Sequence, residues 1–309
     1  MKKKIIFIIS ITLLYFIGNN ASFAQQDEQL SFQSLNPLYY NPAYAGSMNS
    51  INITGIGRFQ WVGMEGAPNT QWLSVHAPIV GKSLGMGIHM VNDKIGTRNR
   101  TGAYYDISSS IRLNDKGARL AFGLSAGMDM ISKDFTSLTI HDQNDINNTR
   151  YSYSKFNMGA GIFYYSEKTY IGLSMPRIMK YKEDDMISNV EHGLYAQHLF
   201  LTFGQVFQLN SSFKLKATML AKHTPETPIA IDIGLHTLMY DKFNVGVIYR
   251  LTEALGVNAY YQIKNYIKIG YGYEFPINRL ANFQTGTHEV LLQFDIFMKN
   301  SVYKSPRYF

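Results

Sequence analysis

The chain reads as an all-β protein, a transmembrane antiparallel β-barrel of about fourteen strands, on three observations. From Ser50 onward, segments of about ten residues alternate apolar and polar side chains, each followed by a turn. No stretch after Ala24 has the length and apolar character of a helical membrane span. Aromatic residues are abundant, 22 Tyr and 19 Phe, while only 17% of residues are charged. Lipid-facing strands and interfacial girdles have that composition, and a closed barrel satisfies every backbone hydrogen bond inside a bilayer. A soluble β-sandwich shows similar alternation, but its strands are shorter, about 5–6 residues.

Lys2, Lys3 and Lys4 precede the apolar run from Ile5 to Phe16, and Ser22-Phe23-Ala24 forms a small-x-small site. This order predicts a signal peptide over residues 1–24, cleaved to leave Gln25 first. The apolar run falls short of the ~20 residues an anchor needs. The chain has 29 Lys+Arg and 22 Asp+Glu; without the three signal lysines the excess is +4. No basic cluster accompanies that excess, which argues against nucleic acid as a partner. The absence of cysteine excludes disulfides, thiolate metal sites and a lipoprotein anchor.

Residues 25–49 do not alternate. Asn36-Pro37 and Asn41-Pro42 each place an extended residue before a proline of fixed φ. That argues against a regular helix or a central strand. We expect an arm that either enters the lumen as a plug or hangs beneath the barrel, with the barrel itself occupying residues 50–309.

The strands follow in order. Weak segments lie at 70–77 and 169–176, so twelve strands remain an alternative to fourteen. Less regular ones lie near 83–93, 102–113, 155–165, 197–209 and 213–222. Leu120, Phe122, Leu124, Ala126 and Met128 oppose Gly123, Ser125, Gly127 and Asp129. The clearest run places Ile229, Ile231, Ile233 and Leu235 against Asp232, Gly234 and His236, since strand residues two apart share a face. Val245, Val247 and Tyr249 continue it, then Leu255 to Tyr261, then Ile267 to Phe275. The last segment runs from His288 to Phe297, and the terminal Phe309 resembles the assembly signal of outer-membrane barrels. Arg112, Asp129, Asp232, Arg250, Lys268, Glu274, Glu289 and Asp295 fall on polar faces and are expected inside, because Arg or Lys facing lipid costs ~2–4 kcal/mol at the midplane.

Short connections with turn chemistry include 114–117, 166–168, 210–212, 240–242 and 264–265. Long ones occupy 132–154, 177–196 and 276–286. Short turns at one rim and long loops at the other predict a bacterial outer-membrane protein whose turns face the periplasm.

Catalysis is not expected. Ser74 and His76 share a face and His141-Asp142 lies in a long loop, but no nucleophile elbow or His-x-x-x-His pattern accompanies them. Asp142, Asn144, Asp145 and Asn147 lack the glycine and terminal glutamate of a calcium loop. No cofactor is implied.

The distinctive block comes early: Asn41-Pro42-Ala43-Tyr44-Ala45-Gly46-Ser47, then Arg58-Phe59-Gln60-Trp61-Val62-Gly63, then Gly66-Ala67-Pro68-Asn69-Thr70. With the final Pro306-Arg307-Tyr308-Phe309, it closely resembles the PorP/SprF family of the Bacteroidetes type IX secretion system. The resemblance implies a non-enzymatic, integral outer-membrane component of that pathway and its gliding machinery. Implied partners are a secreted cargo, such as an adhesin with a C-terminal sorting domain, and other secretion components, including peptidoglycan-linked periplasmic proteins. From the residues themselves, Arg58 and Gln60 are expected to point into the lumen and hold the arm by bonds to its carbonyls. The alternative function is a diffusive channel or hydrophobic-solute transporter, which shares the plan of a fourteen-strand barrel with an N-terminal plug.

Overall fold

A computed structural model describes residues 29–48, 50–79, 83–137, 149–184, 191–195, 197–225 and 227–297. The expected signal peptide over residues 1–24, the loop residues His141 to Asn147 and the terminal Phe309 lie outside the described residues. Fourteen strands close into one antiparallel barrel. They are β1 (Ser50–Phe59), β2 (Asn69–Pro78), β3 (Leu84–Ile95), β4 (Arg98–Arg112), β5 (Arg119–Asp134), β6 (Arg150–Tyr165) and β7 (Thr169–Met175), then β10 (Leu199–Gln208), β11 (Phe213–His223), β12 (Ala230–Met239), β13 (Phe243–Arg250), β14 (Ala254–Ile263), β15 (Ile267–Pro276) and β16 (Thr287–Phe297). The two weak segments are both strands, β2 and β7. Two short strands, β8 (Tyr181–Asp184) and β9 (Glu191–Tyr195), pair only with each other, in the connection expected to be plain loop.

The seam joins β1 to β16, from Ser50 opposite Phe297 to Phe59 opposite His288. Both ends of the barrel therefore lie at the rim of short turns. Among the described residues, the opposite rim carries 60–68, 135–137 and 277–286. The alternation explains the wall. Ile88, Leu124, Leu173, Ile233, Leu235, Val257 and Ile269 are exposed on the outside, while their neighbours are buried.

β5 and β6 are longer than expected. Their ladder continues from Asp129 opposite Lys155 to Asp134 opposite Arg150, so residues 132–134 and 150–154, expected as loop, are strand. Tyr151, Tyr153 and Lys155 keep the inward phase against Ser152 and Ser154, and that alternation extends the strand. On its other edge β6 pairs with β7 only from Ala160–Met175 to Tyr165–Tyr170. Past Met175 the chain turns inward. Arg177 is buried, its guanidinium 6.0 Å from the Tyr39 ring. The Ile178 N–H donates to the Met158 carbonyl at 2.8 Å, and Asn157 accepts from the Met179 N–H at 2.9 Å.

Arg112 departs from its expected place. It lies at the end of β4, exposed, and donates to the carbonyls of Asn114 and Asp115. At a rim, water solvates the guanidinium and no inward turn is required.

Leu235→Arg, in the middle of the apolar outer face, should destabilise the barrel by about 2–4 kcal/mol. Denaturant titration in lipid vesicles measures this; unchanged stability would contradict the outward assignment.

Candidate functional site

The lumen is occupied by the chain's own residues 29–48. Leu30, Phe32, Leu35, Leu38, Tyr39, Tyr40, Ala43 and Ala45 are buried there. Each proline opens a single helical turn, α1 (Pro37–Tyr40) and a 3-10 turn (Pro42–Tyr44). Proline suits a first helical position because that N–H has no helical partner. Asn41, extended between the turns, caps the second by accepting from the Ala43 N–H at 2.9 Å. Its amide donates to the Ile162 carbonyl of β6 at 3.0 Å. The arm is thus a plug, one of the two placements expected, and it contains short helical turns that two prolines do not forbid.

The plug descends the lumen from the loop rim to the turn rim. At the top, Glu289 accepts from the backbone N–H groups of Ser31 and Phe32, both at 2.8 Å. The Ser31 hydroxyl donates to Glu274 at 2.6 Å, and Asn258 donates to the Ser31 carbonyl at 2.8 Å. Arg58 bridges Glu274 at 2.5 Å and Glu289 at 3.0 Å. Arg250 adds contacts to Glu274 at 2.9 Å and to Asp232 at 3.2 Å. All five charged side chains are buried. Buried charges are tolerated when paired and hydrogen-bonded, and here two backbone donors of the plug add to the partners of Glu289. Glu253, in the turn after β13, lies 3.9 Å from Arg250. Burial raises its carboxyl above the ordinary range, and Arg250 opposes that rise.

Arg58 therefore points inward, but it does not bond the carbonyls of the Asn-Pro segment. It reaches Ser31 and acts through carboxylates that grip the backbone N–H groups. Gln60 falls beyond the end of β1, and its backbone N–H bonds the Pro68 carbonyl at 2.9 Å.

Lower down, Gln293 donates to the Leu35 carbonyl at 3.2 Å. Ser74 donates to Asn36 at 2.8 Å, Ser174 to the Tyr40 carbonyl at 2.7 Å and Ser108 to the Ala45 carbonyl at 2.6 Å. His76 accepts from the Gly46 N–H at 3.3 Å and meets the Tyr44 ring edge-on. Ser74 and His76, the pair weighed for catalysis, thus seat the plug. Two close approaches demand glycine. A Cβ on Gly123 would lie 2.1 Å from the Ala43 nitrogen, and Gly46, at φ +67°, would place one 2.5 Å from the Gly85 Cα.

The second motif block builds a corner of the loop rim. Trp61 (φ 52°), Gly63 (φ 97°) and Gly66 (φ 70°) adopt left-handed backbone. Val62 exchanges hydrogen bonds with Gly286 and Thr285, and the Gly96 N–H donates to the Gly66 carbonyl. Ala67 bonds back to Met64, and Thr70 donates to Asp93 at 2.6 Å. Alternation placed Gly123 and Asn258 on inward faces but gave no sign that Ala43 and Ser31 meet them there, and it missed Ser31 and Phe32 altogether. Among the described residues, no group of three His, Asp or Glu could hold a metal ion.

Removing Glu289 leaves Arg58 with one carboxylate partner, Glu274, and leaves the Ser31 and Phe32 N–H groups without their acceptor. Glu289→Ala should cost about 3–5 kcal/mol, as for breaking a buried pair. It should also expose a Ser31→Cys thiol to a membrane-impermeant maleimide that the parent barrel resists. Since the chain has no cysteine, labelling reads that position alone; equal labelling of both would contradict the clamp.

No curated protein matches the chain. Solved structures similar to it are outer-membrane barrels. The Acinetobacter baumannii outer membrane protein Omp33 is 6% identical, with 81% of this chain and 98% of that one covered at a TM-score of 0.45. A Pseudomonas aeruginosa FadL homologue is 11% identical, covering 86% and 93% at 0.44. The CymD monoaromatic hydrocarbon channel is 11% identical, covering 84% and 91% at 0.48. The model of the type IX secretion system membrane protein PorP/SprF matches residues 22–294, which include the plug and all of the barrel up to Phe294. This chain, an integral protein of the bacterial outer membrane, belongs to the PorP/SprF family.

Proposed function

We propose that this barrel is a non-enzymatic component of type IX secretion that receives, helps export or anchors a cognate cargo protein at the cell surface. The cargo in this reading is an adhesin with a C-terminal sorting domain. The loop rim faces outward and meets it. The turn rim faces the periplasm, where peptidoglycan-linked partners of the secretion and gliding machinery engage. Family membership supports the pathway, and the filled lumen is the observation that carries the role. Twenty residues, 29–48, occupy the path that a diffusing solute would take. Their aromatic rings pack against the wall, Tyr40 on Phe200 at 5.2 Å and Tyr44 on Phe163 at 5.4 Å. A barrel so filled can act as a fixed platform while the membrane stays closed.

Deleting the protein should leave its cognate secreted protein off the cell surface, as read by immunolabelling of intact cells. Normal display would count against the role. In a planar bilayer, the intact barrel should give no steady conductance, and a variant lacking residues 29–48 should open steps. Steady conductance or saturable lipid uptake by the intact barrel would favour transport instead.

A further inference from the structure

The outer wall bears a hollow that alternation does not predict. A volume of about 650 Å³ opens on the outer face of β3 to β7 and β10. Its sides are Ile107, Phe122, Leu124, Ile162, Leu173 and Leu199, all exposed. Its floor is the backbone of one row across the sheet: Ser108 opposite Gly123, Gly123 opposite Gly161, and Gly161 opposite Ser174. The same row seats the plug from inside. Ser108 and Ser174 donate to the Ala45 and Tyr40 carbonyls. A Cβ on Gly123 would meet the Ala43 nitrogen, and one on Gly161 the Asn41 Oδ1, each at 2.1 Å. Wall and plug therefore touch here with no layer of side chains between them. On the outer side, the small residues Ser109 and Ala160 keep the depression open between larger neighbours.

Depth decides what enters the hollow. Apolar side chains are exposed on both sides of it, Tyr105, Met128 and Met158 above, Ile111 and Ile171 below. The row lies four residues from the turn-rim ends of its strands at Arg112, Arg119 and Tyr165, or about 10 Å for strands with the usual rise and tilt. Its surroundings are thus the hydrocarbon of the periplasmic leaflet. Lipid tails are as apolar as leucine, so burial alone favours no occupant. An unfilled hollow, however, forfeits dispersion contacts along its whole lining, and an acyl chain laid in it restores them. The volume falls in the ~300–1,000 Å³ range of small-ligand sites. Fourteen residues line it, short of the ~20–30 a side of a stable protein interface. The rim directly below is basic. In the β4–β5 and β6–β7 turns and the strand ends beside them, Arg112, Lys116, Arg119 and Lys168 stand against Asp115 and Glu167, four positive charges to two negative, a net of +2. Asp115 pairs with Arg112 at 3.5 Å. Lys116 and Lys168 are exposed, and among the described residues neither ammonium has an ion-pair partner.

We propose that this hollow is a binding site for an anionic phospholipid of the periplasmic leaflet. One acyl chain lies across the Ser108–Gly123–Gly161–Ser174 row, and the phosphate sits at the turn rim beside Lys116 and Lys168. A lysine near the membrane surface attracts an anionic headgroup, so the rim selects the lipid that the hollow seats. Lipid outside and plug inside then bear on the same four wall residues.

Native mass spectrometry of the intact barrel, released from nanodiscs of phosphatidylethanolamine and phosphatidylglycerol in equal parts, tests the site. The parent should retain one phosphatidylglycerol in preference to phosphatidylethanolamine. Ala160→Trp fills the hollow from its own wall and should lower that retention about tenfold, a loss of ~1.4 kcal/mol. Ala259→Trp, on the outer face of β14 and away from the hollow, should leave retention unchanged. Lys116→Gln combined with Lys168→Gln should keep a bound lipid but abolish the preference for phosphatidylglycerol. Heat-modifiable migration shows that each variant is folded; should A160W not fold, Ser109→Phe narrows the same hollow from β4 and takes its place. Retention by the hollow-filling variant equal to that of the parent, or equal loss in it and A259W, overturns the site and leaves only an unselective lipid shell. A parent that takes the two lipids without preference also overturns it. So does a dimer of the parent that the hollow-filling variant dissolves, because the hollow would then receive a second copy of this chain.

Discussion

A lumen bounded by fourteen strands is too wide to be filled by the side chains of its own wall, and the rest of the structure follows from what fills it. Eight strands leave room for side chains alone, and sixteen or more leave an aqueous channel. Here twenty residues ahead of the barrel occupy the intermediate space. Their backbone polar groups, brought out of water, need partners. The wall supplies them at each level: Glu289 at the top, Gln293 and Ser74 in the middle, Ser174 and Ser108 below. Dense pairing of this kind gives the arm one register in the lumen.

The two motif blocks divide the work. The segment from Asn41 to Gly46 lies against the inner wall so closely that Gly123 and Gly85 must lack side chains. The segment from Gln60 to Pro68 stays at the rim, and Thr70 begins the luminal face of β2. That rim segment folds a corner and ties the β1–β2, β3–β4 and β15–β16 connections together. Arg58 joins the two regions, since it ends the luminal face of β1 just before the corner begins. The motifs thus describe how a plugged barrel is held together.

Much of the wall was legible in the sequence because strand periodicity is a local property. Ile231 to His236 and Leu255 to Gln262 declare their inner and outer faces by alternation alone. Inward placement of Asp129, Asp232, Glu274, Glu289 and Asp295 followed from the cost of charge in lipid. Contacts between distant residues left no such trace. Nothing near Ser31 in the chain announces Glu289, 258 residues away. Arg112 shows a limit of the alternation: it keeps the phase of an inward residue, yet at a strand end solvent satisfies it as well as the lumen would. Gln60 shows another, because the phase has no meaning once the strand has ended at Phe59.

The clamp sits across the seam. Arg58 on β1 lies directly opposite Glu289 on β16, and the arm's first described turn binds that same glutamate. The first and last strands of the chain are thus held both to each other and to a segment inside. One carboxylate therefore serves both closure and plugging, so the register of the seam and the position of the arm are coupled: displacing either strips Glu289 of partners that the other relies on.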